Sequence, residues 1–276
     1  MILRMNNINI EYFSPIFKRY LLEIQPVKDC GYWQLPFIPY TFHRYKSAPF
    51  KVFYIGRDTY YWCEYDNLYE MANPEKYIKD NASYVNVENI KKDWSKPGSF
   101  WGTVGKLHLQ LITGVYHPSI KKLTQKDWDL LEEIGYGNLF SIERIDTLKK
   151  KKYTIEGSSC EKTEYDDIKN HRHEYKFLCN LAKPFEGLKT IFSAYGEPDI
   201  VFILSWTDNE NFFEGLDYEC EKEWYEHNFR SMYISKTHKT KVIWSSHPNR
   251  FHFLGTNQKE MCQYLCDTVN ELLDRQ

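Results

Sequence analysis

The sequence predicts an α/β fold: a central, mainly parallel four-stranded sheet with helices on both faces, a three-layer α/β/α sandwich. Three observations predict it. Four short apolar runs, Lys51 to Ile55, Gly137 to Ile142, Ile200 to Leu204 and Lys241 to Trp244, each end in a polar or glycine-containing turn. Helix-like segments lie between them. Runs this apolar suit strands buried on both faces, as parallel strands are when helices return over the sheet.

The elements follow in order. Residues 1–50 hold an amphipathic stretch from Phe13 to Ile24 and a segment rich in Tyr, Phe and Pro from Tyr32 to Tyr45. They carry no chemical motif and read as an N-terminal extension to a core of about 51–275. The strand Lys51 to Ile55 stops at Gly56. Helices are expected at Val104 to Thr113, Gln125 to Ile134, His171 to Ala182, Lys189 to Tyr195 and Asn257 to Asp274. Polar stretches at 63–97 and 146–170 read as surface elaborations, so 1–276 is expected to be a single domain. No repeat or low-complexity tract interrupts it.

Composition narrows the function classes. An apolar fraction of 42% over 276 residues supports a real core and excludes a disordered chain. The 22 Tyr, 17 Phe and 8 Trp mostly fill that core, although aromatic faces also grip flat bases. A net charge of −2 argues against wholesale polyanion binding, which draws on Lys and Arg displacing counterions. Cationic groups gathered on one face remain compatible with it. The Lys149 to Lys152 run reads as a solvated loop or helix end. Seven scattered Cys without a Cys-x-x-Cys point to reduced thiols, with Cys262 and Cys266 as packing residues on a helix. With no signal peptide and no apolar run of about 18–20 residues, a cytoplasmic protein is expected.

In parallel sheets, ligands bind at the carboxyl ends of the strands. The turns there carry the most reactive residues in the sequence. The first strand runs into Gly56-Arg57-Asp58-Thr59-Tyr60-Tyr61-Trp62, and the last into Ser245-Ser246-His247-Pro248-Asn249-Arg250-Phe251. Together these resemble the two signature motifs of the uracil-DNA glycosylase superfamily, a Gly-x-Asp-x-Tyr turn after strand one and a His-Pro turn after strand four. The stretch from Phe100-Trp101 through Gly135-Tyr136-Gly137-Asn138 to Arg144 and Thr147 is similar to the middle of the mismatch-specific branch. The resemblance covers roughly residues 50–145 and 195–275.

The resemblance implies a monofunctional DNA glycosylase that flips a uracil or modified pyrimidine out of DNA and hydrolyses its N-glycosidic bond. Cleavage leaves positive charge on the sugar and negative charge on the base. Asp58 would stabilise the sugar cation and orient or deprotonate water, and His247 would hydrogen-bond the base oxygen where the anion develops. Tyr60, with Tyr61 as competitor, would close one edge of the base pocket. Asn138 would read the pyrimidine edge, whose pattern a carboxamide can match as donor and acceptor. Trp94 would stack on the flipped base. Phe251 would be the exposed apolar wedge that fills the vacated stack. Arg250, Ser246, Lys96 and Ser99 would grip phosphates.

The sequence also departs from the family. Arg57 and Thr59 replace the usual Gln and Pro, Asn249 replaces the usual Ser, and the Cys spacing of the iron–sulfur branches is absent. Arg57 beside the reaction centre would suit a base with an extra substituent. An antiviral enzyme excising glucosylated hydroxymethylcytosine from phage DNA is therefore an alternative. Two others are a nucleoside hydrolase or deoxyribosyltransferase acting on free nucleosides, and a non-catalytic DNA-binding module. The expected partner is DNA, for a monomer with no membrane contact. No metal or organic cofactor is expected. His171-Arg172-His173-Glu174 is a poor metal site because helical neighbours two apart diverge. There is no Gly-rich phosphate loop, and Ser245-Ser246-His247 lacks a nucleophile elbow.

Overall fold

The computed structural model of the protein describes residues 7–24, 35–57, 86–142, 172–207, 209–223 and 231–273, with Glu75, Tyr77 and Ile78. In chain order its elements are α1 (Ile10–Glu23), β1 (Tyr40–Thr41), β2 (Val52–Gly56), α2 (Val87–Asp93), α3 (Phe100–Thr113), α4 (Gln125–Leu131), β3 (Ile134–Asn138), α5 (Arg172–Ala182), α6 (Gly187–Tyr195), β4 (Ile200–Leu204), β5 (Glu219–Glu223), β6 (Ser231–Ile234), β7 (Lys241–Ser245) and α7 (Gln258–Leu273). Short 3-10 turns join several of them.

The chain is an α/β protein built on one mixed, seven-stranded sheet in the order β1-β3-β2-β4-β7-β6-β5. The four strands expected from the sequence lie side by side and parallel at its centre, as β3, β2, β4 and β7. The expected sheet of four strands is nevertheless too small. At one edge β1 runs antiparallel to β3, and at the other β6 and β5 add two antiparallel strands beyond β7. A second correction concerns β3, expected at Gly137 to Ile142 and found at Ile134–Asn138. Its glycines explain the shift. A Cβ on Gly135 would come within 2.2 Å of the Phe53 ring, so β3 trades apolar side chains for a close approach to β2.

Successive strand residues point to opposite faces, and the central strands are apolar on both. Val52, Tyr54, Ile200, Phe202, Leu204 and Ile243 join a cluster with Ile90, Trp94, Leu107 and Leu265 from the α2, α3 and α7 region. Phe53, Ile55, Val201, Ile203, Val242 and Trp244 join another with Leu188 and Ile191 of α6 and Phe212. Each fully buried side chain of this size contributes about 1.5–3 kcal/mol of transfer free energy. A third cluster seats α1, through Phe13, Phe17 and Tyr20, against Leu178 and Phe185. The segment expected as an N-terminal extension therefore packs into the body of the protein and supplies an edge strand.

Stretch 63–97, expected as surface elaboration, also contributes to the core. Its α2 is capped by Asn86, which accepts the Glu88 main-chain N–H, and it buries Ile90 completely. The second stretch, 146–170, lies outside the described residues, as does the Lys149 to Lys152 run. Cys262 and Cys266 are buried on α7, where the sequence placed them as packing residues. Among the described residues no helix is long and apolar enough to cross a membrane.

Candidate functional site at the carboxyl edge of the parallel strands

The parallel strands all end on the same edge of the sheet, and their following turns converge there. β4 lies between β2 and β7. Their carboxyl ends are thus two strand spacings, about 10 Å, apart. Trp206, in the turn after β4, occupies the position between them. The Arg57 guanidinium from the β2 turn lies 5.1 Å from the Trp206 ring centre, and that of Arg250 from the β7 turn lies 4.7 Å from it. Both distances are in cation–π range. The His247 ring meets Trp206 edge-on at 5.9 Å. One indole therefore organises two cations and an imidazole from turns almost two hundred residues apart.

His247 is half-buried and lies 6.1 Å from Phe100 at the start of α3. Burial, helped by the charges of Arg57 and Arg250, pulls its pKa down to about 4 against the opposing hydrogen bond from Asn249. The ring is thus neutral at physiological pH. Its Nδ1 is met twice by Asn249, by Oδ1 at 2.8 Å and by the main-chain N–H at 3.2 Å. These contacts ask for opposite tautomers, since Oδ1 needs a proton on Nδ1 and the N–H needs a lone pair. Either way, Asn249 governs whether Nε2 acts as acceptor or donor.

The wall beside this cluster comes from β3. Asn138 is 4% exposed, and its Oδ1 accepts the Tyr136 hydroxyl at 2.8 Å. Gly56 is its partner across the β2–β3 ladder. A Cβ on Gly56 would come 2.7 Å from Asn138 Oδ1 and 3.0 Å from the Tyr136 hydroxyl, so glycine keeps this corner open. On the far side, the loop before α3 touches the His247 turn, for a Cβ on Gly98 would lie 2.9 Å from Asn249 Cα.

The structure brings together Arg57, Asn138, His247 and Arg250 from the expected site residues. Asp58 and Tyr60, with the competitor Tyr61, lie outside the described residues; Asp58 is bonded to Arg57, the last described residue of its turn. Two expectations are corrected. Trp94 is 1% exposed, donates its indole N–H to the His117 carbonyl at 3.1 Å, and packs beneath α3 with the Lys106 ammonium 5.8 Å from its ring. It has no face left for a base. Phe251, expected as an exposed wedge, is 2% exposed within the α3–α7 cluster, because the 248–254 turn folds back onto the core. Ser99 is the N-cap of α3: its hydroxyl accepts from the Gly102 N–H and donates to the Asp93 carbonyl. Lys96 is exposed and paired with Asp93 at 2.7 Å. Ser246 is buried.

Sequence reasoning missed Trp206, Phe100 and Tyr136 as site residues. A signal existed for Trp206 alone, which follows an apolar strand at the edge where ligands bind. Among the described residues no cluster of His, Cys, Asp and Glu could hold a metal ion. Comparison with known protein families, characterised proteins and solved structures returns no match to this chain.

Proposed function

We propose that this protein is a DNA N-glycosylase acting on a pyrimidine, with Asp58 and His247 at its reaction centre. One observation carries the reading: the turns holding Arg57 and His247, remote in sequence, meet through Trp206 at the carboxyl edge of the parallel strands. The order of β2, β4 and β7 leaves between the outer turns a gap of nucleotide size, and Asn138 stands beside it. This arrangement suits a uracil-DNA glycosylase-like fold, elaborated by three antiparallel strands.

In the proposed reaction the C1′–N1 bond breaks and its electron pair leaves with the base. Water adds to C1′, and the Asp58 carboxylate accepts its proton while stabilising the sugar cation. With Nδ1 accepting the Asn249 main-chain N–H, the neutral His247 ring donates from Nε2 to the base oxygen that gains charge. Arg57 and Arg250 place positive charge close to that oxygen and to the flanking phosphates. The test is direct. Oligonucleotides carrying uracil or a modified pyrimidine should acquire alkali-labile abasic sites with the wild type and none with Asp58→Asn. A wild type that makes no abasic site on any of them ends the reading.

A second reading, hydrolysis or transfer on free nucleosides, is favoured by one observation. Phe251, the residue that would have committed the site to a DNA stack, is buried. Release of base from nucleosides but not from oligonucleotides would establish it.

A further inference from the structure

Asn138 is enclosed by the protein yet engaged only on one side. Its Oδ1 takes the Tyr136 hydroxyl at 2.8 Å, while its amide nitrogen makes no hydrogen bond among the described residues. The two residues sit at i and i+2 on β3, so their side chains share a face of the sheet. The Tyr136 ring cannot swing away. It is held by Trp101 at 4.5 Å, Phe37 at 5.5 Å, and Phe100 and Tyr40 at 5.6 Å. Gly56 opposite leaves room for both polar atoms, where any side chain would press on the hydrogen bond itself. The phenol hydrogen needs an acceptor, and the carboxamide oxygen is fixed in front of it.

A free carboxamide can read a uracil-type edge with its oxygen on N3–H and its nitrogen on a ring carbonyl. In this site the oxygen is already committed, and what Asn138 turns toward the cleft is an N–H donor. Uracil presents a donor at N3. Cytosine presents an acceptor there, next to the O2 acceptor. Resting on the glycosylase reading, we infer that Tyr136 is a positioning residue that sets the polarity of Asn138, and that the site selects a cytosine-type base edge over a uracil-type one. A buried donor facing a donor leaves both unpaired, which discriminates by about tenfold or more.

Matched pairs of substrate test this without changing anything but the edge. Oligonucleotides carrying uracil or cytosine, and 5-hydroxymethyluracil or 5-hydroxymethylcytosine, are compared by single-turnover formation of abasic sites. The wild type should release the cytosine-type member of a pair about tenfold faster or more. Tyr136→Phe frees the carboxamide oxygen, so the ratio within each pair should shift several-fold toward the uracil-type member. A merely structural role for Tyr136 would lower both rates and leave the ratio alone. Asn138→Asp, which can only accept, should shift the ratio the same way and serves if Tyr136→Phe does not fold. A wild type that prefers the uracil-type member, or a ratio unmoved in both variants, overturns the inference while leaving the glycosylase reading standing. No abasic sites from any of the four DNAs removes both.

Discussion

His247 is a histidine that works without its charge. Its pKa, lowered to about 4 by burial and by the two arginines, keeps the ring neutral far below the pH at which an exposed histidine protonates. If the neutral ring assists departure of the base, we predict that the acid limb of kcat/KM falls only near pH 4. The profile should be flat through 6.5. A limb centred near 6.5 would mean that the imidazole is solvated in the working enzyme. His247→Ala should lower kcat by about 10²–10³, the usual loss of one preorganised donor. Asp58→Asn should lose about 10²–10⁴, as expected for a proton acceptor at the reacting water. Equal rates for wild type and both variants would remove these residues from the chemistry. The legibility of the site follows from what each residue must do. Arg57 and His247 were readable because motif and strand end coincide in the sequence. Trp206 was not, because its role is to lie between two turns, which only strand order reveals. Trp94 and Phe251 misled for a related reason. An aromatic side chain serves a core and a base equally well, and its identity does not say which faces it.

At the level of elements, the central strands were legible because Val52 to Ile55, Ile200 to Leu204 and Val242 to Trp244 are apolar at every position, a pattern that suits strands covered on both faces. β3 was misplaced because its packing signal is an absence of side chains. We predict that Gly135→Ala, which sets a Cβ 2.2 Å from the Phe53 ring, costs about 1–3 kcal/mol in urea unfolding, with part recovered by Phe53→Leu in the same chain. A Gly135→Ala variant within about 0.5 kcal/mol of wild type would show that the β2–β3 approach is not tightly packed. The edge strands were invisible for the opposite reason. β5 reads Glu219-Cys220-Glu221-Lys222-Glu223, with no apolar face to detect, and β1 is two residues long. Charge and brevity are what protect a sheet edge from pairing with another chain, so the features that make these strands safe also hide them. α2 escaped notice because a polar seven-residue helix buries only Ile90 before handing over to Trp94.

Across the whole molecule, two imidazoles are held neutral inside a folded chain, and this couples stability to acid. His108 is fully buried in α3, with Nδ1 3.3 Å from the Tyr54 hydroxyl and Nε2 3.1 Å from the Leu130 carbonyl; burial lowers its pKa to about 4. The carbonyl can only accept, so Nε2 carries the proton and Nδ1 accepts from Tyr54. Protonating the ring would set a second N–H against the tyrosine oxygen in the interior. The folded pKa lies below the unfolded one, near 6.5, so the unfolded chain takes up protons first as pH falls. Stability is therefore full above about 6.5 and lost as pH falls toward 4. His108 contributes roughly 3 kcal/mol of that loss, and His247 adds to it in the same window. Asp217 acts in a lower window. Its pKa is depressed to about 2 by the Ser235 and Thr237 hydroxyls, so its contribution holds above its unfolded value and fades only as pH falls below about 4. We predict that urea midpoints drop steadily between pH 6.5 and 4, before carboxylates titrate. His108→Gln, although less stable at pH 7, should lose less stability over the same interval, by up to about 1.4 kcal/mol per pH unit, the value of one linked proton. Identical slopes for His108→Gln and wild type would mean that the buried imidazole is not the group that senses acid.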